Sequence, residues 1–492
     1  MLGGVLELAF QPDRSRAEPL YLQLAAHLRG LAGSGRLAAG EKLPPSRELA
    51  QGLGLSRNTV NQAYQCLIED GVLAAHVGQG TFVASRGRAA PAREEPEPGL
   101  QWQSLLASPA RRLRVPEALA RPAPEPLRFE FRGGRIDPAT LPARVLQRAW
   151  SAALRRALPA AANALEPQGY RPLREQIARS LVARGISCAA DDVVVTSGAQ
   201  QALDFVARVL VDPGDAVALE QPGYFGAALC FQRAGAELLG VGVDEKGLRT
   251  DELARTLRAR RVKLVYTTPS AQFPTGAVLD DARRLALLEL SSAYQVPIVE
   301  DDYDSELRYG DPPLPALKTG DGSGRVIYLG TLSKALFPGL RLGYAVAPRA
   351  FLVPFALARF AASFGADAVS QAAAAELIAS GALERHVRRI RPHYAVRRRA
   401  MQSALEAAMP EPVRWRAPRS GHAFWLELPD PIDGARLQDA AEREGIAYTR
   451  GDAFYADGRG RNALALSFAC EGPARIHEGV VRLAQLVRRQ LG

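Results

Sequence analysis

Between residues 191 and 331 the sequence repeats one alternation. A short run of β-branched or aliphatic residues is followed by a stretch with helical spacing. The runs are DDVVVTSG, DAVALEQ, VKLVYTTP, VPIVEDD and RVIYLGT. Short apolar runs bounded by turn residues and separated by helical crossovers specify a mostly parallel sheet covered by helices on both faces. Such a sheet places ligands at the carboxyl ends of its strands. Beyond about residue 350 the pattern changes to long helices, then HAFWLELP and ALALSFA in a smaller α+β region.

The chain is too long for one domain. At 492 residues, roughly 100–200 residues per domain suggests about three. The net charge is +10, which permits nucleic-acid contact without requiring it; a GC-rich genome would produce the same excess of Ala and Arg. Cys66, Cys188, Cys230 and Cys470 are scattered, with no CxxC pair and no histidine cluster beside them. Neither a disulfide framework nor a metal site is expected. MLGGVLELAF lacks the basic region and long apolar core of a signal peptide. The Ala-rich run from Ala350 to Leu383 is broken by Arg359, Asp367 and Glu376, so no membrane span is expected. The expectation is a soluble, cytoplasmic protein.

Residues 19–84 read differently from the rest. PLYLQLAAHLRGLAGSG spaces Leu20, Leu24 and Leu28 as one helix face. LPPSRELAQGLGLSRNTVNQAYQCLIEDG then reads as helix, tight turn, helix, with Ser46 and Ser56 as candidate N-caps. GVLAAHVGQGTFVAS reads as two short strands around a tip at Gly78, Gln79 and Gly80. In a helix-turn-helix the early residues of the second helix face the major groove. Here those are Arg57, Asn58, Thr59, Asn61 and Gln62, with Arg47 placed for a backbone phosphate. His76, Gly78 and Gln79 would form the tip of a wing. A small protein-interaction domain would share the same helices. Charge does not decide the matter, because residues 41–86 are net neutral. From Ser85 to about Arg128 the chain is rich in Pro, Ala and charge without hydrophobic periodicity, and reads as a linker.

A second set of residues suits a phosphate-bearing aldehyde cofactor. Lys334, in GTLSKALFPGLRLGY, is a lysine between strand and loop, flanked by Thr331 and Ser333. Pyridoxal phosphate (PLP) needs such an amine for a Schiff base, a carboxylate for its ring nitrogen and a cup for its phosphate. Asp301 ends the apolar strand VPIVEDD, and Tyr303 follows. Ser197, Gly198, Ala199 and Gln200 sit where a helix starts, presenting backbone N–H groups to an anion. Arg341 adds a fixed charge, and Tyr224 in EQPGYFG offers an aromatic plate. An ordinary strand–helix turn, a surface lysine and a core tyrosine would look the same one at a time.

LPPSRELAQGLGLSRNTVNQAYQCLIEDGVLAAHVGQGTFV resembles the winged helix of the GntR regulators, and Ser56 falls within its reading surface. TPSAQFPTG, VEDDYDSELRY and GTLSKALFPGLRLGY resemble fold-type I aminotransferases. Together they resemble the MocR subfamily of GntR regulators over almost the whole chain. The resemblance implies a winged helix-turn-helix over residues 1–84 and a linker over 85–128. An aminotransferase-like α/β domain then covers 129–492, with a large subdomain at about 140–350 and a small one at 351–492. It implies PLP on Lys334, Asp301 at the ring nitrogen and Tyr303 at the phenolic oxygen. Ser197 to Gln200, Ser333 and Arg341 would hold the phosphate. Double-stranded promoter DNA and a head-to-tail homodimer are the implied partners. The effector would be an amino compound or PLP itself.

Three positions depart from the pattern. Ala271 stands where related chains often have histidine, and Ala164 where a tyrosine would reach phosphate across the dimer. Ala465, in ALALSFA, stands where aminotransferases place the arginine that holds the substrate carboxylate; Arg450 is a candidate substitute. The expected function is therefore a PLP-dependent regulator. The alternatives are a working aminotransferase with a regulatory head, and a repressor whose second domain only dimerises.

Overall fold

In the computed structural model the described residues are 10, 12–13, 18–34, 36–76, 80–84, 102–113, 115–156, 166–304, 308–309, 314–365 and 367–491. The chain divides into two compact units, Met1–Leu105 and Leu106–Gly492.

The first unit holds α1 (Leu20–Gly33), α2 (Ser46–Leu53), α3 (Arg57–Glu69) and the antiparallel pair β1 (Leu73–His76) and β2 (Gly80–Val83), followed by the short α4 (Trp102–Leu105). Leu24, Leu28, Leu49, Val60, Ala63, Leu67 and Leu73 form its core. Gly54 closes α2 with φ +63°, a left-handed conformation that glycine adopts without a Cβ penalty. Ser56 caps α3 by accepting from the Thr59 amide at 3.1 Å. Ser46 does not cap α2: it is the first helical residue, and Pro45 precedes it without a side-chain hydrogen bond. Tyr64 locks α3 to the approach to α2 by donating its hydroxyl to the Pro44 carbonyl at 2.8 Å.

The second unit is built on an eight-stranded sheet in the order β4-β11-β10-β9-β8-β5-β6-β7. Its strands are β4 (Val193–Thr196), β5 (Ala216–Gln221), β6 (Glu237–Asp244), β7 (Gly247–Leu248), β8 (Val262–Thr267), β9 (Ile298–Asp302), β10 (Val326–Thr331) and β11 (Gly343–Val346). The pairs running from β10 through β9, β8 and β5 to β6 are parallel, whereas β11 runs antiparallel to both β4 and β10. β4 and β9 are buried at every position, as their apolar runs require.

Helices follow in chain order: α5 (Ser108–Arg112), α6 (Glu117–Ala120), α7 (Ala143–Arg156), α8 (Arg171–Leu181), α9 (Ala199–Leu210), α10 (Phe225–Ala234), α11 (Thr250–Ala259), α12 (Asp281–Tyr294), α13 (Arg349–Ser363), α14 (Ala368–Ala379), α15 (Ala382–Ala408), α16 (Gly434–Arg443) and α17 (Pro473–Leu491). A second sheet, antiparallel, joins β12 (Arg414–Arg416), β13 (Ala423–Glu427), β16 (Ala463–Ser467) and β15 (Thr449–Arg450). β3 (Phe129–Glu130) pairs with β14 (Ile446–Ala447).

Two expected boundaries shift. The stretch 85–128 is not all linker, because α5 packs on α10, and Arg121 pairs with Asp439 at 2.6 Å. The large subdomain does not stop near 350. Leu352 and Phe355 of α13 belong to the core over the main sheet, and Ala373 and Leu377 of α14 to the core on its other side. The small-subdomain core takes over within α15, at Ile390 and Tyr394.

Replacing Tyr64 with Phe would leave the Pro44 carbonyl without its donor and cost about 1–3 kcal/mol. Thermal unfolding of Tyr64→Phe should show an earlier transition in the first unit, with the second unit's transition unmoved.

Candidate functional site

The carboxyl ends of β8, β9 and β10 open onto a cavity of about 370 Å³. Ala199, Gln200, Tyr224, Asp301, Tyr303, Thr331, Ser333, Lys334 and Arg341 all line it. Residues far apart in sequence are thus brought together by the strand order.

Asp301 is 3% exposed. One of its oxygens, Oδ2, accepts from the Tyr266 hydroxyl at 2.8 Å, while Oδ1 is buried with no protein partner. Burial pushes its carboxyl up to about 7, opposed by the Tyr266 hydrogen bond and by Lys334, and reinforced by Asp302 and Glu220. Tyr303 is held above the ordinary phenol range by burial and by Asp304 and Asp301, so its hydroxyl stays protonated. The Lys334 ammonium lies 5.7 Å from the centre of the Tyr303 ring.

The phosphate-cup residues need redrawing. The Ser197 amide already donates to the Gln201 side chain at 2.7 Å, and the Gly198 amide to the Thr196 carbonyl at 2.9 Å. Neither residue lines the cavity. The amides of Ala199 and Gln200 open α9, where helix geometry leaves N–H groups without intrahelical acceptors. Ser333 Oγ is buried and without a protein partner. Arg341 donates to the Ser197 carbonyl at 3.1 Å and adopts φ +51°. Gly198 is required here: its φ is +83°, and a Cβ would stand 2.9 Å from the Arg341 guanidinium. Gly343 is equally constrained from the other side, its Cβ position lying 2.6 Å from the Gly198 backbone.

Tyr224 donates to Gln200 Oε1 at 2.9 Å and meets Phe273 edge-on at 5.8 Å. Thr331 Oγ1 donates to the Leu342 carbonyl and accepts from the Ser333 amide, both at 3.1 Å, which ties the Lys334 loop to the strand after it.

Sequence reasoning missed Tyr266, although a hydroxyl residue at the end of the apolar run VKLVYTT was its signal. It also missed a wall made by Leu119, Arg121, Arg132, Gly133, Gly134, Phe273, Phe454 and Ser467. Among the acids after Asp301, Asp302 is consumed by the Arg184 guanidinium and the Tyr328 hydroxyl, each at 2.6 Å.

Ala465 lines the same cavity as Lys334 and pairs in register with Trp425 and Thr449 on the neighbouring strands. Arg450 does not substitute for the missing guanidinium. It is 4% exposed, lies outside the cavity lining, and is held by Asp452 at 2.7 and 2.8 Å, with Glu117 at 3.6 Å. Ala271 is buried and outside the lining, and Ala164 lies outside the described residues.

In the first unit, Arg47, Arg57, Asn58, Asn61, Gln62 and His76 are exposed, and Thr59 is half-buried. Ser56 and Thr59 share a hydroxyl contact at 2.8 Å, so both serve the cap of α3. Gly78 and Gln79 lie outside the described residues. Among the described residues no group of three or more His, Cys, Asp or Glu is arranged to hold a metal, and no helix is long and apolar enough to cross a membrane.

The raised carboxyl of Asp301 sets a pH dependence. Its unfolded value is about 3.9, so the folded chain binds this proton more tightly and loses stability as pH rises through about 7. Glu300, also pushed up to about 7 by burial and Asp302, acts in the same direction. Cofactor-free protein should therefore melt at higher temperature at pH 6 than at pH 8, and Asp301→Asn should lessen that difference. An undiminished difference in the variant would contradict the assignment.

Comparison with known proteins agrees with this geometry. Residues 20–83 match the family described as bacterial regulatory proteins, gntR family, and residues 137–471 match aminotransferase class I and II. The HTH-type transcriptional regulator TauR of Rhodobacter capsulatus is 35% identical over 92% of this chain and 94% of its own. The probable rhizopine catabolism regulatory protein MocR of Rhizobium meliloti is 32% identical over 95% and 94%. Among solved structures, the α-aminoadipate aminotransferase LysN of Thermus thermophilus, complexed with N-(5'-phosphopyridoxyl)-L-leucine, superposes with a TM-score of 0.74. It is 32% identical, over 80% of this chain and 99% of LysN. The chain belongs to the MocR-type regulators, in which a GntR helix-turn-helix is followed by an aminotransferase class I and II domain.

Proposed function

We propose that this chain binds PLP in the cavity around Lys334 and regulates transcription through α3 of its first unit. The observation that carries the reading is the buried, unpartnered Oδ1 of Asp301 in the cavity that Lys334 and Arg341 line. An orphaned carboxylate oxygen suits a ring N–H, because a buried acceptor left unmade is costly. Asp301 would hold the pyridine nitrogen, and Tyr303 would donate to the phenolic oxygen. The amides of Ala199 and Gln200, the hydroxyl of Ser333 and the charge of Arg341 would hold the phosphate. Tyr224, oriented by Gln200, would cover a ring face. When bound, PLP supplies an aldehyde for which Lys334 and an incoming primary amine compete.

The effector is an amino compound or PLP itself. Leu119 and Arg121, which line the cavity, lie on the segment leading back to the DNA-binding unit. That supports a signal in which ligand and segment share one wall, provided that the ligand favours one arrangement over another. The chain acts as a head-to-tail homodimer in the cytoplasm, where its DNA is.

Purified protein loaded with PLP should show the absorption band of a Schiff base to Lys334, and Lys334→Ala should abolish that band. Arg57→Ala should lower affinity for the preferred duplex by about tenfold or more, equivalent to about 1–3 kcal/mol, with the band intact. Lys334→Ala should remove the effector dependence of DNA binding. A protein that binds no duplex selectively would overturn the reading.

Turnover should be absent or very slow. Transamination needs the amino acid held by its carboxylate, and Ala465 supplies no guanidinium while Arg450 is committed to Asp452. Displacing reacting atoms by about 1 Å can cost on the order of a hundredfold in rate. The check is a multiple-turnover assay over a panel of amino donors with 2-oxoglutarate and pyruvate; rapid turnover lost in Lys334→Ala would make the chain an enzyme.

A further inference from the structure

The charge of this chain is divided in an unexpected way. Residues 1–105 contain ten Lys and Arg and ten Asp and Glu, so the DNA-binding unit has no net charge. The whole excess of +10 lies in residues 106–492. Attraction to the DNA backbone comes from cations that replace condensed counterions, and it supplies most of non-specific affinity. Counted over the whole unit, the reading head has no excess of cations to add to the local contacts of Arg47 and Arg57.

Within the second unit the excess is concentrated. α7 carries Arg144, Arg148, Arg155 and Arg156 and no acidic residue. α15 carries seven arginines against Glu384 and Glu406, near its two ends. The two helices together hold a net +9. On α15 the inward arginines are already engaged: Arg397 with Asp137 and the Ala469 carbonyl, Arg398 with the Pro418 carbonyl. Arg385, Arg388, Arg389 and Arg399 are exposed, as are all four on α7.

The two helices are neighbours through α14, which packs against both. Arg389 also reaches the Thr140 carbonyl, just before α7, at 3.0 Å. Among the described residues, the carboxylate contact of these eight arginines is Arg388 with Glu384, at 4.0 Å and with both side chains more than 60% exposed. A solvated face ordinarily mixes both signs. Arg144 and Arg148, like Arg385 and Arg389, stand one turn apart, an arrangement that weakens an isolated helix. Guanidinium groups repeated at about 5.4 Å per turn suit the oxygens of a phosphate backbone.

We infer that the aminotransferase-like unit itself binds DNA, through a phosphate-contacting surface made by α7 and α15. The inference rests on the regulator reading above. The partner is the duplex backbone, contacted without regard to sequence, while α3 reads the bases.

The test uses the full-length, PLP-loaded protein. A preferred duplex is first selected by the wild-type protein from a random pool. Affinity for it and for a scrambled duplex is then measured between about 50 and about 300 mM salt, where counterion release dominates the salt dependence. The variant replaces Arg144, Arg148, Arg385, Arg388 and Arg399 with Gln. Its affinity for both duplexes should fall by roughly tenfold or more, with their ratio unchanged. The slope of log affinity against log salt should shrink by about 0.9 for each phosphate no longer neutralised. Lysine at the same five positions should restore most of the slope, which separates charge from folding. An unchanged slope in the Gln variant would sink the inference. So would a reduced slope that comes with loss of dimer in sedimentation, which would make this face an interface between copies. Failure of the pool to yield any preferred duplex would instead strike the regulator reading itself.

Discussion

The chemistry of this fold depends on a carboxylate buried before any ligand arrives. Asp301 is the next-to-last residue of a strand whose five residues are all buried, between β8 and β10 in the middle of the sheet. The sheet offers it one partner, the Tyr266 hydroxyl, on the adjacent strand. Its second oxygen therefore faces the cavity at a desolvation cost that only a cationic or N–H group can offset. The cost is tolerated because cores on both sides of the sheet, from Val194, Leu264 and Val299 to Tyr328 and Leu377, hold the strands in place. Strain is stored nearby as well, in the left-handed backbone of Arg341.

Backbone packing shapes the other end of the cavity. The turn at Ser197–Ala199 and the return strand at Arg341–Gly343 approach so closely that a Cβ at either Gly198 or Gly343 would overlap its neighbour. β11 runs antiparallel between β4 and β10 and brings these two segments together. The same crossing aims Arg341 at the first turn of α9.

Much of this is legible in the sequence, for identifiable reasons. Apolar runs report burial, so the sheet and the end of β9 can be placed. Hydroxyls beside Lys334, and glycines at 54 and 198, report local backbone needs. What cannot be read involves partners that only the folded chain supplies. Ser197 and Gly198 look like free donors until Gln201 and Thr196 are seen to take them. Arg450 looks available until its contact with Asp452 is seen. The segment around Leu119 reads as linker because its partners, Phe454 and Asp439, lie in the last sixth of the chain. A boundary near 350 suggests itself because α13 and α14 look like the start of a new helical region. Their apolar faces instead complete the cores of the preceding sheet.

Alanine at position 465, where a guanidinium would grip a carboxylate, has different consequences for a catalyst and for a sensor. A catalyst must hold its substrate so that one bond is oriented for reaction, and the fork of an arginine on a carboxylate does that better than any single contact. A sensor needs only that a ligand bind one arrangement of the protein more tightly than another. The cavity wall that includes Ala465 combines the apolar Leu119 and Phe454 with the guanidinium groups of Arg121 and Arg132. Such a wall responds to the size, shape and charge of what fills it. It includes Leu119, on the segment that leads back along the chain toward the first unit. The substitution that removes control over a reacting bond therefore leaves intact, and places beside the connecting segment, the contacts a signal would use.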